Sequence, residues 1–158
     1  MPRFALAVML ESGRPVLFRQ VRVGQGGREF GMYKFRSMVK NAAAIGPYHT
    51  ASDDPRITRV GRFIRRTSLD ELPELWNVLQ GQMSLVGPRP EVLESTVKWN
   101  ETIDNYNVRH GVKPGMTGLA QVKGLRGDTD LGERIRLDIK YIEHWSLWND
   151  FKLMLLTF

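Results

Sequence analysis

Thr67–Glu91, TSLDELPELWNVLQGQMSLVGPRPE, opens on two adjacent carboxylates, Asp70 and Glu71, and closes on an arginine, Arg89, held between Pro88 and Pro90. Ser68 followed three residues later by Glu71 is a capping-box pattern. Acidic residues in a first helical turn stabilise the positive end of the helix dipole by up to about 1 kcal/mol and need no catalytic role. Two features favour a second reading. Pro73 interrupts the start of the helix, and cations stand on both sides in sequence, Arg65 and Arg66 before the pair and Arg89 after it. A carboxylate pair with a guanidinium suits phosphate chemistry with a divalent metal. Leu72, Leu75, Trp76 and Leu79 predict the buried stripe of the helix, and Gly81 its stop.

The prolines matter for Arg89. Pro88 and Pro90 fix their own φ, and Pro90 pushes the residue before it toward an extended conformation. Fixed placement is what bidentate phosphate recognition requires, although a proline-braced loop with an incidental arginine gives the same letters. Upstream, Arg56–Arg66 carries Arg59, Arg62, Arg65 and Arg66 at spacings of three and four. A helix there would show them as one cationic stripe opposite Ile57, Val60, Phe63 and Ile64, with Gly61 weakening it. Such a stripe is a solvated face, a helix on an anionic lipid surface, or a nucleic-acid contact.

Pro15–Ser37 predicts a β-hairpin turning at Gly24-Gln25-Gly26-Gly27. On its second strand, period two places Met32, Lys34, Arg36 and Met38 on one face and Tyr33, Phe35 and Ser37 on the other. The two cations form either a solvated face or a phosphate-binding edge. Phe4–Leu10 is too short to cross a bilayer and reads as a first helix or a buried strand. Val39–Ile45 predicts a helix ending at Gly46-Pro47. Pro47–Pro55 reads as a loop in which Asp53 and Asp54 cap or turn rather than bind metal.

Downstream of Glu91, Val92–Tyr106 predicts a helix of mixed polarity. Arg109–Gly124 is rich in Gly and Pro and reads as a folded loop that wraps a site, the kind of segment that often carries binding residues. His110 has no second histidine at metal spacing and reads as structural or phosphate-adjacent. Leu131–Trp145 predicts an amphipathic helix. Tyr141, Trp145, Trp148 and Phe151 stand near helical spacing, as a core stripe or a membrane–water boundary.

The 158 residues suit one domain, with 42% hydrophobic and 25% charged residues marking a globular chain. The net charge of +6 favours an anionic partner: nucleic acid, anionic lipid or phosphorylated substrate. The absence of cysteine excludes disulfides and thiolate metal sites. A basic nucleic-acid-binding module would account for the charge but shows no zinc, RRM or helix-turn-helix signature, and leaves Asp70-Glu71 and Gly-Pro-Arg-Pro without a purpose. A non-catalytic partner of a membrane enzyme is the other alternative.

With these blocks in order (GRPVLFRQVRVGQGGREFGMYKFRSM, DPRITRVGRFIRRTSLDELPELWNVLQGQMSLVGPRPE, VKPGMTGLAQVKG and LDIKYIEHWSLWNDFKLM) the chain resembles the bacterial sugar transferase family, the monotopic phosphoglycosyl transferases, over nearly its whole length. The resemblance implies one catalytic domain over 1–158. It implies transfer of a sugar-1-phosphate from a nucleoside diphosphate sugar, usually a UDP-sugar, to a polyprenyl phosphate at the cytoplasmic face of the membrane, beginning surface polysaccharide or glycoconjugate synthesis. It further implies Mg²⁺ bound by Glu71, Asp70 as nucleophile forming a phospho-aspartate, and Lys34, Arg36, Arg65 and Arg89 as phosphate-binding residues. A helix N-terminus under the dyad would favour bound phosphate and keep Asp70 ionised. Nucleic acid is not an expected partner, and the oligomeric state is left open. Family members carry a membrane-inserted hydrophobic segment before the first block, where this chain has only PRFALAVML; the expectation is a catalytic core lacking most of that segment. The expected fold is α+β, a small antiparallel hairpin sheet surrounded by amphipathic helices, some lying at the membrane surface.

Overall fold

The computed structural model describes residues 2–46, 54–125 and 129–157. In chain order its elements are α1 (Pro2–Ser12), β1 (Leu17–Val23), β2 (Glu29–Phe35), α2 (Ala42–Ile45), α3 (Arg59–Arg66), α4 (Glu74–Leu79), β3 (Ser84–Val86), α5 (Leu93–Thr102), β4 (Gly115–Thr117), α6 (Leu119–Val122), α7 (Leu131–Glu143) and α8 (Leu147–Thr157). The expected α+β class holds. β1 and β2 form the antiparallel hairpin, and β3 and β4 form a second two-stranded sheet. The hairpin turns where its glycines allow it, with Gly26 and Gly27 at φ 67° and 74°. Among the described residues, no helix is long and apolar enough to cross a membrane.

These elements form two compact units. The first comprises Met1–Gln20 and Tyr33–Leu75. Phe4–Leu10 is helical, as part of α1. Val8, Phe35 and Ile64 form the core, with Leu69 and Leu72 packed against them. Ile64 is fully buried, which contributes about 2 kcal/mol. Gly61 admits close packing of α3: a Cβ there would collide with the Ser37 carbonyl oxygen. The start of α3 is capped twice. The Thr58 hydroxyl accepts from the Gly61 N–H, and the Glu11 carboxylate accepts from the N–H groups of Arg59 and Val60.

The arginine stripe of α3 is redrawn. Arg59, Arg62 and Arg66 are exposed, but Arg65 turns inward and donates from Nε to Ser37 Oγ at 2.8 Å. Phe63, expected on the apolar side, is exposed instead. The strand alternation is also incomplete. Phe35 and Arg36 are both buried, and Tyr33 and Lys34 are half-buried, so neither cation lies on an open face. The expected loop over 47–55 falls mostly outside the described residues, Asp53 included. Asp54 is described and turns the chain, gripping Arg56 at 2.7 Å.

The second unit comprises Val21–Met32 and Trp76–Phe158. β3 pairs with β4 in parallel, Ser84 opposite Gly115 and Val86 opposite Thr117. Phe30, Met32 and Met83 form one core cluster, and Val86, Tyr141 and Leu153 another. The stripe expected over 72–79 is corrected. Trp76 and Leu79 are 56% and 79% exposed, while Asn77 is fully buried, donating from Nδ2 to the Gly31 carbonyl and to Gln82. Gly81 ends the helix at φ 75° as expected. The aromatic stripe is divided by the break between α7 and α8. Tyr141 is core, whereas Trp145, Trp148 and Phe151 are exposed, Trp148 stacking on Phe151 under the Lys152 ammonium.

Candidate active site

Five of the expected site residues, Lys34, Arg36, Arg65, Asp70 and Glu71, belong to the first unit, and Lys34, Glu71 and Arg65 act on the Asp70 carboxyl. α3 ends at Arg66, and Ser68 then adopts a left-handed conformation at φ 54°. That costs an L-residue about 1 kcal/mol. It reverses the chain into a tight 3-10 turn, Leu69–Glu71, whose Leu69 is anchored in the core. The capping-box reading is therefore corrected: the Ser68 side chain makes no cap hydrogen bond, and Glu71 reaches Lys34 instead. The helix N-terminus expected beneath the dyad is absent too, because α4 starts only at Glu74.

Lys34 is the hub of this site. Its Nζ lies 2.8 Å from Glu71 Oε1 and 3.2 Å from Glu74 Oε1. Glu74 is 1% exposed, and the sequence reading did not single it out. A buried carboxylate needs such a partner, since an isolated one would be costly. Asp70 is 8% exposed. Burial pushes its carboxyl above the usual aspartate range; Lys34 opposes this most, Glu71 adds to it, and Arg65 opposes it. The expectation that local potential keeps Asp70 readily ionised is thus revised: burial prevails over its cations.

Arg36 is buried beside α1, its Nη1 donating to the Ser12 carbonyl at 3.4 Å. Its Nη2 is buried with no hydrogen-bond partner, a donor suited to an anion. Arg65 is half-buried, and burial lowers its pKa against the opposing charges of Asp70 and Asp54. The donor set suits a hard cation. Mg²⁺ is commonly held by one or two carboxylates completed by substrate phosphate oxygens and water. Asp70 and Glu71 are such donors, and no group of three or more His, Cys, Asp or Glu side chains converges as a metal site among the described residues.

Arg89 belongs to the second unit, in the loop after β3. Its flanking prolines are buried, yet they are not its only braces. Arg109 Nη2 donates to the Arg89 carbonyl at 2.7 Å, and Arg22 Nη1 donates to the Pro90 carbonyl at 3.0 Å. Beneath them lies an ion cluster that sequence reading missed. Arg134 pairs with Glu91 at 2.9 Å and Arg109 with Asp138 at 2.8 Å, all four buried. Burial raises the Asp138 carboxyl to about 6 despite Arg109 and Arg134. Arg89, Arg109 and His110 line a shallow cleft with Pro88, Pro90 and Pro114. Burial and then Arg109 lower the His110 pKa, so its ring is neutral at neutral pH, with its edge set against Tyr106.

The model of the family described as "Bacterial sugar transferase" matches residues 1–158. The chain is 47% identical over 159 residues to the UDP-glucose:undecaprenyl-phosphate glucose-1-phosphate transferase of Escherichia coli K12, covering 97% of this chain and 34% of that protein. It is 46% identical over 160 residues to an undecaprenyl-phosphate galactose phosphotransferase of Salmonella typhimurium, covering 92% and 33%. It is 45% identical over 156 residues to a UDP-N-acetylgalactosamine-undecaprenyl-phosphate N-acetylgalactosaminephosphotransferase of Aeromonas hydrophila, covering 97% and 37%. The chain thus spans about a third of the length of these curated relatives. Their three named sugars differ at nearly equal identity, so overall likeness does not select one. The family model covers this chain from end to end, and on that match the chain belongs to the bacterial sugar transferase family.

Proposed function

We propose that residues 1–158 act as one catalytic domain that transfers a sugar-1-phosphate from a UDP-sugar to a polyprenyl phosphate. The observation that carries this reading is the buried Asp70 beside Glu71, Lys34 and Arg65, in a chain whose relatives are named for that transfer. An Asp70 carboxylate oxygen attacks the sugar-bearing phosphorus of the donor. The bond from that phosphorus to the bridging oxygen breaks, the electron pair leaves with the nucleoside monophosphate, and a phosphosugar ester of Asp70 remains. An oxygen of the polyprenyl phosphate then attacks the same phosphorus. The aspartyl bond breaks, the carboxylate is restored and a polyprenyl diphosphate sugar forms.

Two anions must meet in the first step, so cations decide its rate. Arg36 and Arg65 supply donors within the first unit. Glu71 would hold Mg²⁺, which would offset the charge of the diphosphate and of the leaving nucleotide. Burial of Asp70 removes water that would otherwise hydrolyse the ester. The acceptor is a lipid, and exposed apolar and basic side chains suit work at the cytoplasmic surface of a membrane. Phe63 stands among Arg59, Arg62 and Arg66 on α3, and Trp148 and Phe151 beside Lys152 on α8.

The test is a transfer assay with UDP-sugars, polyprenyl phosphate and Mg²⁺. Sugar-phosphate should appear in the lipid fraction, and should be lost in Asp70→Asn and on chelation. Transfer that survives Asp70→Asn overturns the reading.

A further inference from the structure

We propose that Glu74 is a positioning residue for the dyad: it keeps Lys34 beside Asp70 when Glu71 is engaged elsewhere. The inference rests on the transferase reading above, in which Glu71 binds a metal ion. Lys34 has two carboxylate partners of different kinds. Glu71, at 2.8 Å, has a side chain 17% exposed, on the 3-10 turn that faces the substrate in this reading. Glu74, at 3.2 Å, has a side chain 1% exposed, in the first turn of α4. The partner that substrate chemistry demands is therefore the accessible one, and the partner that stays is sealed.

The consequence falls on Asp70. Lys34 is the cation that most offsets the burial of Asp70. A lysine held by Glu71 alone would be released whenever Glu71 turned to another ligand, and its flexible stem would carry it away from the nucleophile. With Glu74 behind it, the ammonium keeps one fixed partner and its place. Preorganised charge of this kind acts on the transition state without reorganising during reaction. Pro73 immediately precedes α4, so Glu74 enters its first turn three residues after Glu71 and within reach of Lys34.

The test separates holding from catalysis. Amine acetylation at Lys34, followed by peptide mass spectrometry, is compared with acetylation at exposed Lys98. In Glu71→Ala, Lys34 should stay shielded, within about twofold of wild type. In Glu71→Ala/Glu74→Leu its labelling should rise about tenfold, toward that of Lys98, as an unheld side chain becomes accessible. Glu71→Ala/Glu74→Gln, which retains an acceptor oxygen, should restore the shielding. Circular dichroism melting checks that each variant is folded, because removing one partner of a buried ion pair is destabilising, and Glu74→Gln keeps an acceptor at the same position. With Glu71 intact, Glu74→Leu should slow formation of the phosphosugar adduct about tenfold with little change in donor KM, and Glu74→Gln should recover most of the rate. Labelling of Lys34 at the Lys98 rate in Glu71→Ala alone, or an unchanged adduct rate in Glu74→Leu, overturns the proposal. A wild-type protein that forms no adduct counts against the transferase reading, and the labelling series then decides the role of Glu74 by itself.

Discussion

Lys34 on β2 and Glu71 on the turn after α3 meet at 2.8 Å, and this pair sets the electrostatics around a buried Asp70. Burial raises the Asp70 carboxyl, and Lys34 is the strongest force in the other direction. A nucleophilic Asp70 must be ionised, so activity should rise with pH through a point above the usual aspartate range. Lys34→Met should move that acid limb to still higher pH, and Arg65→Met should move it less. The pH profile of nucleoside monophosphate release checks both; a limb that stays fixed in Lys34→Met contradicts the assignment.

The same shift has a stability side. A carboxyl whose pKa is raised on folding favours the fold while protonated, below its unfolded pKa, and that contribution is lost as pH rises through the folded value. At neutral pH the Asp70 charge is therefore a cost to the fold. Asp70→Asn should abolish turnover yet stabilise the protein by about 1 kcal/mol, the usual trade between a strained site and stability. Urea unfolding at neutral pH measures it, and destabilisation by the variant would argue against a buried, disfavoured charge.

Glu11 behaves in the opposite way. Some burial raises its pKa, but hydrogen bonds from Val60, Thr58 and Arg59 outweigh this and lower it overall. Its stabilising effect is present above the unfolded pKa of 4.5 and is lost as pH falls through the lower folded value. Glu11→Ala should cost about 1 kcal/mol at neutral pH, as loss of a helix cap does. The difference from wild type should shrink in acid, and a difference independent of pH would show that the carboxylate is not the cap.

Arg109 and Asp138 form a buried pair in the second unit, and breaking it from either side has unequal results. Arg109→Met leaves Asp138 without its 2.8 Å partner, and should cost about 3–5 kcal/mol. Asp138→Asn removes a carboxyl that burial raises to about 6. Wild type should lose stability relative to Asp138→Asn between the unfolded pKa of 3.8 and about 6, so the variant compares better at neutral pH than in acid. Thermal melts of both proteins across that window give the sign directly.

Local sequence carried the hairpin, its glycine turn and the stop at Gly81, because each depends on residues adjacent in the chain, while Phe4–Leu10 suited a helix and a buried strand equally and is helical. The dyad and its prolines were visible for the same reason. Trp76 and Leu79 were misread because a 3-10 turn precedes a helix of only six residues, so the stripe counted from Leu72 loses its phase and Glu74 and Asn77 turn inward. Arg65 looked like one of four surface arginines, and its hydroxyl partner Ser37 lies on a distant segment. The parallel pairing of β3 with β4 and the cluster of Glu91, Arg109, Arg134 and Asp138 join segments that are remote in sequence, and neither leaves a periodic trace.

Formation of a covalent phosphosugar on Asp70 is the central claim, and intact-mass spectrometry tests it most directly. The protein is incubated with a panel of UDP-sugars and Mg²⁺ in the absence of lipid acceptor, beside Asp70→Asn. A mass gain of one phosphosugar in wild type with one donor, absent in Asp70→Asn, is the predicted result and names the sugar as well. Transfer to polyprenyl phosphate with no adduct at any time, or an adduct that persists in Asp70→Asn, would contradict Asp70 as the nucleophile.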